Sequence, residues 1–382
     1  MSNHLIEYMT ARQADIVATL RQLVELESPS DNKPALDRLG AFIASQLREA
    51  GASVQVVSQA TAGDHLVATC GDAAPDSAPI VTLCHIDTVW PMGTIKTIPW
   101  SDQGGTLRGP GVFDMKAGLA IAGLAMRALA QESDGLPGVV VLLVTADEET
   151  GSAASRGIIE AEARVSDAAL VLEPALPGGA LKTRRKGCGE FVLRVSGRAA
   201  HAGIEPELGA SAISELARQI PRIEALRDAA AGTAVNVGVV RGGSRPNVVA
   251  ADAEAVIDVR VASAAEAARV TAALGALKPV DPGTRVAVAG GIDRPPMERS
   301  AAGAALFAVA QAVAADLGRT LGEGGTGGGS DGNLTAALGV PTLDGLGAVG
   351  GGAHADDEHV TIADLPWRAA LVAGLLRRIL AV

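Results

Sequence analysis

Three strand-length runs in this chain, residues 79–84, 138–145 and 168–172, are apolar with almost no polar interruption. A half-exposed strand alternates, because successive side chains point to opposite faces, so an unbroken apolar run belongs to a strand buried on both faces. Between the first two, residues 116–130 are Ala-rich and carry Leu119, Ala120, Leu124 and Leu129 on one side of a helix. Strands alternating with helices predict an α/β domain with a mixed, mostly parallel sheet flanked by helices.

The pattern changes near Gly187. Residues 190–196 alternate like a half-exposed strand, 209–226 read as a helix, and 234–240 and 253–261 as strands. A helix over 264–274 and a last strand over 285–288 follow. The order strand–helix–strand–strand–helix–strand is the split βαβ, or ferredoxin-like, α+β module. An Ala-rich helix resumes the first pattern from Ser300. The small module therefore reads as an insertion, with residues 1–184 and 299–382 forming one domain and 185–298 the other. The segment 322–332 (GEGGTGGGSDG) reads either as a linker or as a functional backbone turn, since apolar segments flank it closely.

Composition narrows the partners. A chain of 382 residues exceeds one ordinary core. Aromatic residues at 2% and a net charge of −11 argue against a nucleic-acid surface, which needs stacking platforms and a local cation excess. The N-terminus is charged throughout, with Ile16, Leu20, Leu23 and Val24 at helical spacing instead of the apolar run of a secretory signal. No stretch reaches the length of a membrane span. Cys70, Cys84 and Cys188 are an odd, sparse set that suits a reducing compartment. A cytoplasmic location with no membrane partner is expected.

Acids and histidines sit where the buried strands end. His85-Ile86-Asp87 follows the first strand, and a carboxylate two residues from a ligating histidine can orient its ring. Alone, the pair fits a surface loop equally well. Asp114 comes next, delivered by the glycines of Gly109-Pro110-Gly111 just before a helix; its plain alternative is an N-cap. Asp147-Glu148-Glu149 closes the second strand, and Glu173-Pro174 the third. His354 stands in the glycine-rich turn Gly351-Gly352-Ala353-His354-Ala355-Asp356-Asp357-Glu358. Open α/β sheets keep their sites at strand carboxyl ends, and crowded carboxylates are relieved by cations. The nitrogen and oxygen donors suit zinc, with cobalt or manganese as substitutes. Five ligands with one bridging carboxylate make a two-ion site.

These segments, HIDTV from His85, GPGVFDMK around Asp114, DEETGS around Glu149, Glu173-Pro174 and Gly352-Ala353-His354, resemble the metal motifs of the dinuclear-zinc carboxypeptidase and deacylase family. The resemblance runs over nearly the whole chain, and the wording HIDTVWPMGT and DEETGS is most similar to the folate-cleaving glutamate carboxypeptidases. It implies two zinc ions per chain, with Asp114 bridging, His85 and Glu173 completing one site, and Glu149 and His354 the other. Asp87 is expected to orient His85, and Glu148 to act as the general base toward a water between the ions. Gly197-Arg198-Ala199-Ala200-His201-Ala202-Gly203 is similar to the motif whose histidine crosses a homodimer, formed by the inserted domain, to stabilise the tetrahedral oxyanion.

In the family it resembles, a glutamate at the position of Glu173 goes with carboxypeptidases and deacylases, so the resemblance implies a substrate with a free carboxylate beside the scissile amide. Asn247, Arg260 and Arg294 are the candidate cationic and polar contacts; the plain alternative for the arginines is solvated strand residues. The resemblance also sets backbone N–H groups of the glycine turn, Gly328 and Gly329, against that carboxylate. The expected activity is release of a C-terminal glutamate, or a similar amino acid, from small N-acyl, peptidyl or folate-type conjugates. The alternatives are an N-acyl amino acid deacylase, such as an acetylornithine deacetylase, and a metal-binding scaffold without activity.

Overall fold

The computed structural model describes residues 2–72, 78–131, 136 and 138–381; Met1 and Val382, the ends of the larger expected domain, lie outside them. The chain divides into two compact units: Met1–Arg184 with Arg299–Gly325 and Ser330–Val382, and Arg185–Glu298 with Thr326–Gly329.

The larger unit is built on a six-stranded sheet in the order Ser53–Val57, His65–Cys70, Val140–Thr145, Ile80–His85, Ala168–Val171, Thr342–Leu343. The first two pairings are antiparallel and the other three parallel, so the sheet is mixed and mostly parallel. Alternate residues of the central strands feed two separate cores. Ile80, Cys84, Val140, Leu142, Val144 and Leu170 face one, while Val81, Leu83, Leu143, Ala169 and Val171 face the other. That is why the runs show no polar alternation. Helices Lys33–Glu49, Ala117–Ala130 and Leu365–Leu380 contribute to the first core. Ile159 of helix Arg156–Arg164 and Leu334 of helix Gly332–Ala337 belong to the second. Each aliphatic side chain fully buried this way contributes about 1.5–3 kcal/mol.

The register of the three central parallel strands positions the chemistry. His85 lies opposite Thr145, and Leu83 opposite Val171, so the chain leaves all three strands at one edge of the sheet. A Cβ on Gly118 would overlap the carbonyl oxygen of Leu172, so only glycine lets the helix after Asp114 lie against the end of the third strand. A small antiparallel sheet, Gly350–Gly351, His359–Thr361, Thr106–Arg108 and Ser101–Gln103, ties the turn bearing His354 to the segment that leads into Asp114. No helix among the described residues is long and apolar enough to cross a membrane.

The smaller unit holds a four-stranded antiparallel sheet in the order Ala234–Gly242, Asp252–Val261, Gly187–Ser196, Arg285–Arg294. Phe191, Leu193, Val195, Ile257 and Val259 pack beneath Leu216 and Ile223 of helix Ala212–Glu224 and Val270 and Leu274 of helix Ala264–Gly275. Glu190 and Arg194 on the opposite face are exposed, the one-sided burial expected of an antiparallel sheet. Several bounds differ from the sequence reading by a few residues, and two of them have a visible cause. The last strand continues to Arg294 because Gly290, at φ 101°, passes so close to the Glu190 carbonyl that no Cβ fits, which hides the strand signal. The first helix starts later than Gly209, because Ala210 bridges to Arg198 and Ser211 caps the helix by accepting from Ser214 N–H.

Candidate metal centre

Seven expected site residues of the larger unit meet at that sheet edge. His85 ends its strand, Glu148 and Glu149 sit on the turn after the second, and Glu173 follows the third. Asp114 is not an N-cap: the helix begins at Ala117 with Lys116 at the cap, and Asp114 has extended backbone angles (φ −112°, ψ 96°) and a cis peptide to Met115. Gly111, at φ 73° with a Thr88 methyl where a Cβ would go, makes the turn that delivers it. His354 itself carries φ 61°, a left-handed conformation that costs about 1–3 kcal/mol in a non-glycine residue.

Donor atoms are spaced as ligands of a shared ion would be. His85 Nε2 lies 3.4 Å from Asp114 Oδ1 and 3.4 Å from Glu173 Oε1. His354 Nε2 lies 3.4 Å from Asp114 Oδ2 and 3.2 Å from Glu149 Oε1. A tetrahedral zinc ion with bonds of about 2.0–2.1 Å separates its donors by about 3.3–3.4 Å. His85 is buried and its Nε2 makes no hydrogen bond among the described residues, an orphaned polar atom that a cation would satisfy. Its other nitrogen, Nδ1, is 3.0 Å from the Asp87 main-chain oxygen, a donor contact that leaves the Nε2 lone pair facing Asp114 and Glu173. The residues present fit a pair of divalent ions with Asp114 offering one oxygen to each. Glu148 is also within reach: donor atoms of His85, Glu148 and Glu173 lie within 4.8 Å of one another, as do those of His85, Asp114 and Glu149.

The charges agree. Burial disfavours the His85 imidazolium, yet Asp114, Asp87 and Glu173 raise its pKa well above the ordinary histidine range. Asp114 and then Glu149 push His354 up to about 10. Burial works to raise the Asp114 pKa, but His354 and His85 hold it well below the usual carboxylate range. Without metal, the surrounding carboxylates therefore favour the protonated form of both histidines. The His354 proton stabilises the metal-free fold fully below the unfolded value of about 6.5, and that contribution fades as pH rises through about 10. An entering ion must displace this proton. Affinity of the metal-free protein for zinc is therefore expected to rise from about pH 6 to pH 8, roughly tenfold per unit for each proton released. Binding heats measured in buffers of different ionisation enthalpy check this, and buffer-independent heats would contradict it.

Asp87 does more than the sequence suggests. Its carboxylate is 3.4 Å from His85 Nδ1, farther than its own carbonyl, and it accepts the Glu148 N–H (3.1 Å), the Glu149 N–H (3.1 Å) and the Ser30 hydroxyl (2.8 Å). One buried acid thus positions both neighbouring carboxylates. Asp147 faces away, accepting from Ala154 N–H (2.7 Å) and Ser155 N–H (3.2 Å), which shapes the same turn. Asp331, near the end of the glycine segment 322–332, accepts from the Thr145 hydroxyl (3.2 Å) and the Ser152 hydroxyl, tying the second strand to the turn after it. The sequence shows Asp147 as one of three acids closing its strand and Asp331 as part of a glycine turn; a buried aspartate accepting from backbone or hydroxyl groups leaves no spacing signal for the supporting role.

The remaining expected residues lie in the smaller unit. His201 is exposed and accepts the Gly203 N–H at Nδ1 (3.1 Å), so a neutral ring carries its proton on Nε2 and can donate from there. Asn247 is exposed, and its carbonyl accepts the Ala202 N–H. Arg260 donates through Nε to both Asp258 oxygens (3.1 Å each) and through Nη1 to Cys188 Sγ (2.7 Å). Arg294 is buried at the end of its strand. Arg185 donates to the carbonyls of Gly328 (3.2 Å) and Gly329 (2.8 Å), which fixes the orientation of those peptides.

Comparison with known proteins agrees with this picture. A profile described as Peptidase family M20/M25/M40 matches residues 81–378. The chain is 30% identical over 381 residues to carboxypeptidase G2 from Pseudomonas sp. (strain RS-16), covering 98% of this chain and 91% of that protein. It is 26% identical over 328 residues to a succinyl-diaminopimelate desuccinylase from Thioalkalivibrio sulfidiphilus, covering 78% of this chain and 82% of the relative. Among solved structures, aminopeptidase PepT from Bacillus cereus matches with a TM-score of 0.79 at 23% identity, over 96% of this chain and 98% of the other. At that identity the likeness speaks for the fold.

Proposed function

Because the chain belongs to peptidase family M20/M25/M40, and so is a metallopeptidase that hydrolyses amide bonds, we propose that it is a carboxypeptidase releasing a C-terminal glutamate, or a similar amino acid, from N-acyl, peptidyl or folate-type conjugates. The observation that carries the reading is the convergence of His85, Asp114, Glu149, Glu173 and His354 at 3.2–3.4 Å donor spacing, with one further acid beside them.

In this reading two zinc ions would be held by Asp114 in common, with His85 and Glu173 completing one site and Glu149 and His354 the other. Bound there, two ions supply Lewis acidity toward the scissile carbonyl and lower the pKa of the attacking water. Glu148 takes the proton of that water and passes it to the leaving nitrogen, a task that needs a carboxylate oxygen not engaged by an ion. The turn held by Asp87 keeps Glu148 and Glu149 apart by role, one moving protons and the other binding metal.

His201 from a second copy of the chain donates to the oxyanion; the Nε2 proton left by its Gly203 contact supports that role. Homodimerisation through the smaller unit is supported by the edge strand Ala234–Gly242 and by exposed Ile204, Leu208, Ile213, Val239 and Val240. A chain that sediments as a monomer would remove this part of the reading. The substrate carboxylate is assigned to Asn247, Arg260, Arg294 and the Gly328 and Gly329 N–H groups. Arg260 has to bind it while retaining or exchanging Asp258.

Turnover of an N-acyl-glutamate, a folate-type glutamate conjugate and acetylornithine, measured side by side, tests the substrate class. The glutamate compounds are expected to be preferred by at least roughly tenfold in kcat/KM. Preference for acetylornithine would replace the carboxypeptidase reading with the deacylase one.

A further inference from the structure

The acidic run Asp356-Asp357-Glu358 after His354 looks like a solvated turn, and its first two members are exposed. Glu358 is buried. Its Oε1 accepts the backbone N–H of Phe113 (2.8 Å) and of Asp114 (3.0 Å). Its Oε2 accepts the backbone N–H of Gly111 (2.9 Å) and the Trp90 indole N–H (2.8 Å). One carboxylate thus gathers four donors, three from the turn that delivers Asp114, and a charged acceptor makes each bond stronger than a neutral pair. The acid also shares a turn with His354: Ala355 N–H donates to Gly352 and Glu358 N–H donates to Ala355, both at 2.9 Å.

We infer that Glu358 is a positioning residue for one of the two ion sites, the one taken by Asp114, Glu149 and His354. The inference rests on the two-ion reading above. The other site draws His85 and Glu173 from hydrogen-bonded parallel strands, whose register is set by the sheet. On the Asp114–His354 side, the small antiparallel sheet pairs His359 with Arg108 and Gly351 with His359, and its strands stop short of both residues. The two residues stand on separate loops, and Glu358 joins the backbone of one to the turn of the other. Glutamine in its place keeps the shape but brings an amide NH2 against N–H donors, so two of the four lose their acceptor whichever way the amide turns.

Cobalt titration of the metal-free protein, followed by the visible d–d absorption of the bound ion, tests this without reference to activity. Unaltered protein is expected to take two equivalents. In Glu358→Gln the second equivalent should bind at least roughly tenfold more weakly, with an altered spectrum, while the first, which shares Asp114 but keeps His85 and Glu173 on their paired strands, changes by a smaller factor. Glu358→Asp keeps the charge but withdraws it by one methylene, and should fall between the two. If the glutamine variant does not fold, the aspartate variant is read alone: a weakened second equivalent supports the inference, and an unchanged one overturns it. Two equivalents with superimposable spectra and affinities in unaltered and variant protein would overturn the positioning role alone. Fewer than two in the unaltered protein would overturn the two-ion reading beneath it, and this inference with it.

Discussion

Replacing Glu148 with glutamine is expected to leave both metal ions bound while lowering kcat by at least roughly 10²-fold, and up to about 10⁴-fold. The amide is nearly isosteric and cannot take up a proton at neutral pH. The turn should hold its shape, because Asp87 grips the backbone N–H of residues 148 and 149, not the side chain. KM should change little, since the loss falls on a transition-state proton transfer. The variant also separates two roles that distance alone leaves open, because Glu148 is within ligand range of His85 and Glu173. Retained metal with collapsed turnover marks the general base. A lost ion would make Glu148 a ligand instead, and near-normal turnover would take it out of the chemistry.

Asp114→Asn should act earlier and harder. An asparagine side chain has a single carbonyl oxygen and no charge, so it cannot offer one oxygen to each of two ions. His85 and His354 each lie 3.4 Å from a different Asp114 oxygen, so both sites lose their common member. Metal analysis of the dialysed variant is expected to show at least one ion lost. Affinity for the other should weaken by more than roughly 100-fold, beyond what altering an outer-shell partner costs. Turnover should fall below about 1% of the unaltered enzyme. The variant should still fold, because the backbone at 114 is held through its N–H. A variant that keeps two ions would show that the bridge lies elsewhere.

Much of this architecture is legible before any coordinates. Unbroken apolar runs at 79–84, 138–145 and 168–172 announce strands covered on both faces, and the two cores they feed are the reason. Acids and a histidine at the ends of three such strands announce a site, because parallel strands bring those ends to one edge. Between residues 28 and 72 the sequence signals are weaker. The strand Ser53–Val57 is an exposed edge with weak alternation. Helix Lys33–Glu49 did leave a signal, an Asn32 cap accepting the Ala35 N–H and a proline in the first turn.

The roles of adjacent acids are less legible still. Asp147, Glu148 and Glu149 are chemically alike in sequence, and the turn sends one to backbone N–H groups and the others toward the site. Glu358 and Asp331 work through partners 245 and 179 residues away, the Phe113 backbone N–H and the Ser152 hydroxyl, and over such separations neither kind of donor leaves a spacing signal. Arg260 shows the opposite limit. A cation in the right strand looks available in the sequence, yet it is bonded to Asp258 and Cys188.

The central claim is a two-ion centre built on Asp114, and the most direct measurement is the metal content of the purified, unaltered chain after exhaustive dialysis against metal-free buffer. The account predicts about two zinc ions per chain. One tightly bound ion, or none, in protein that still hydrolyses its substrate would contradict it.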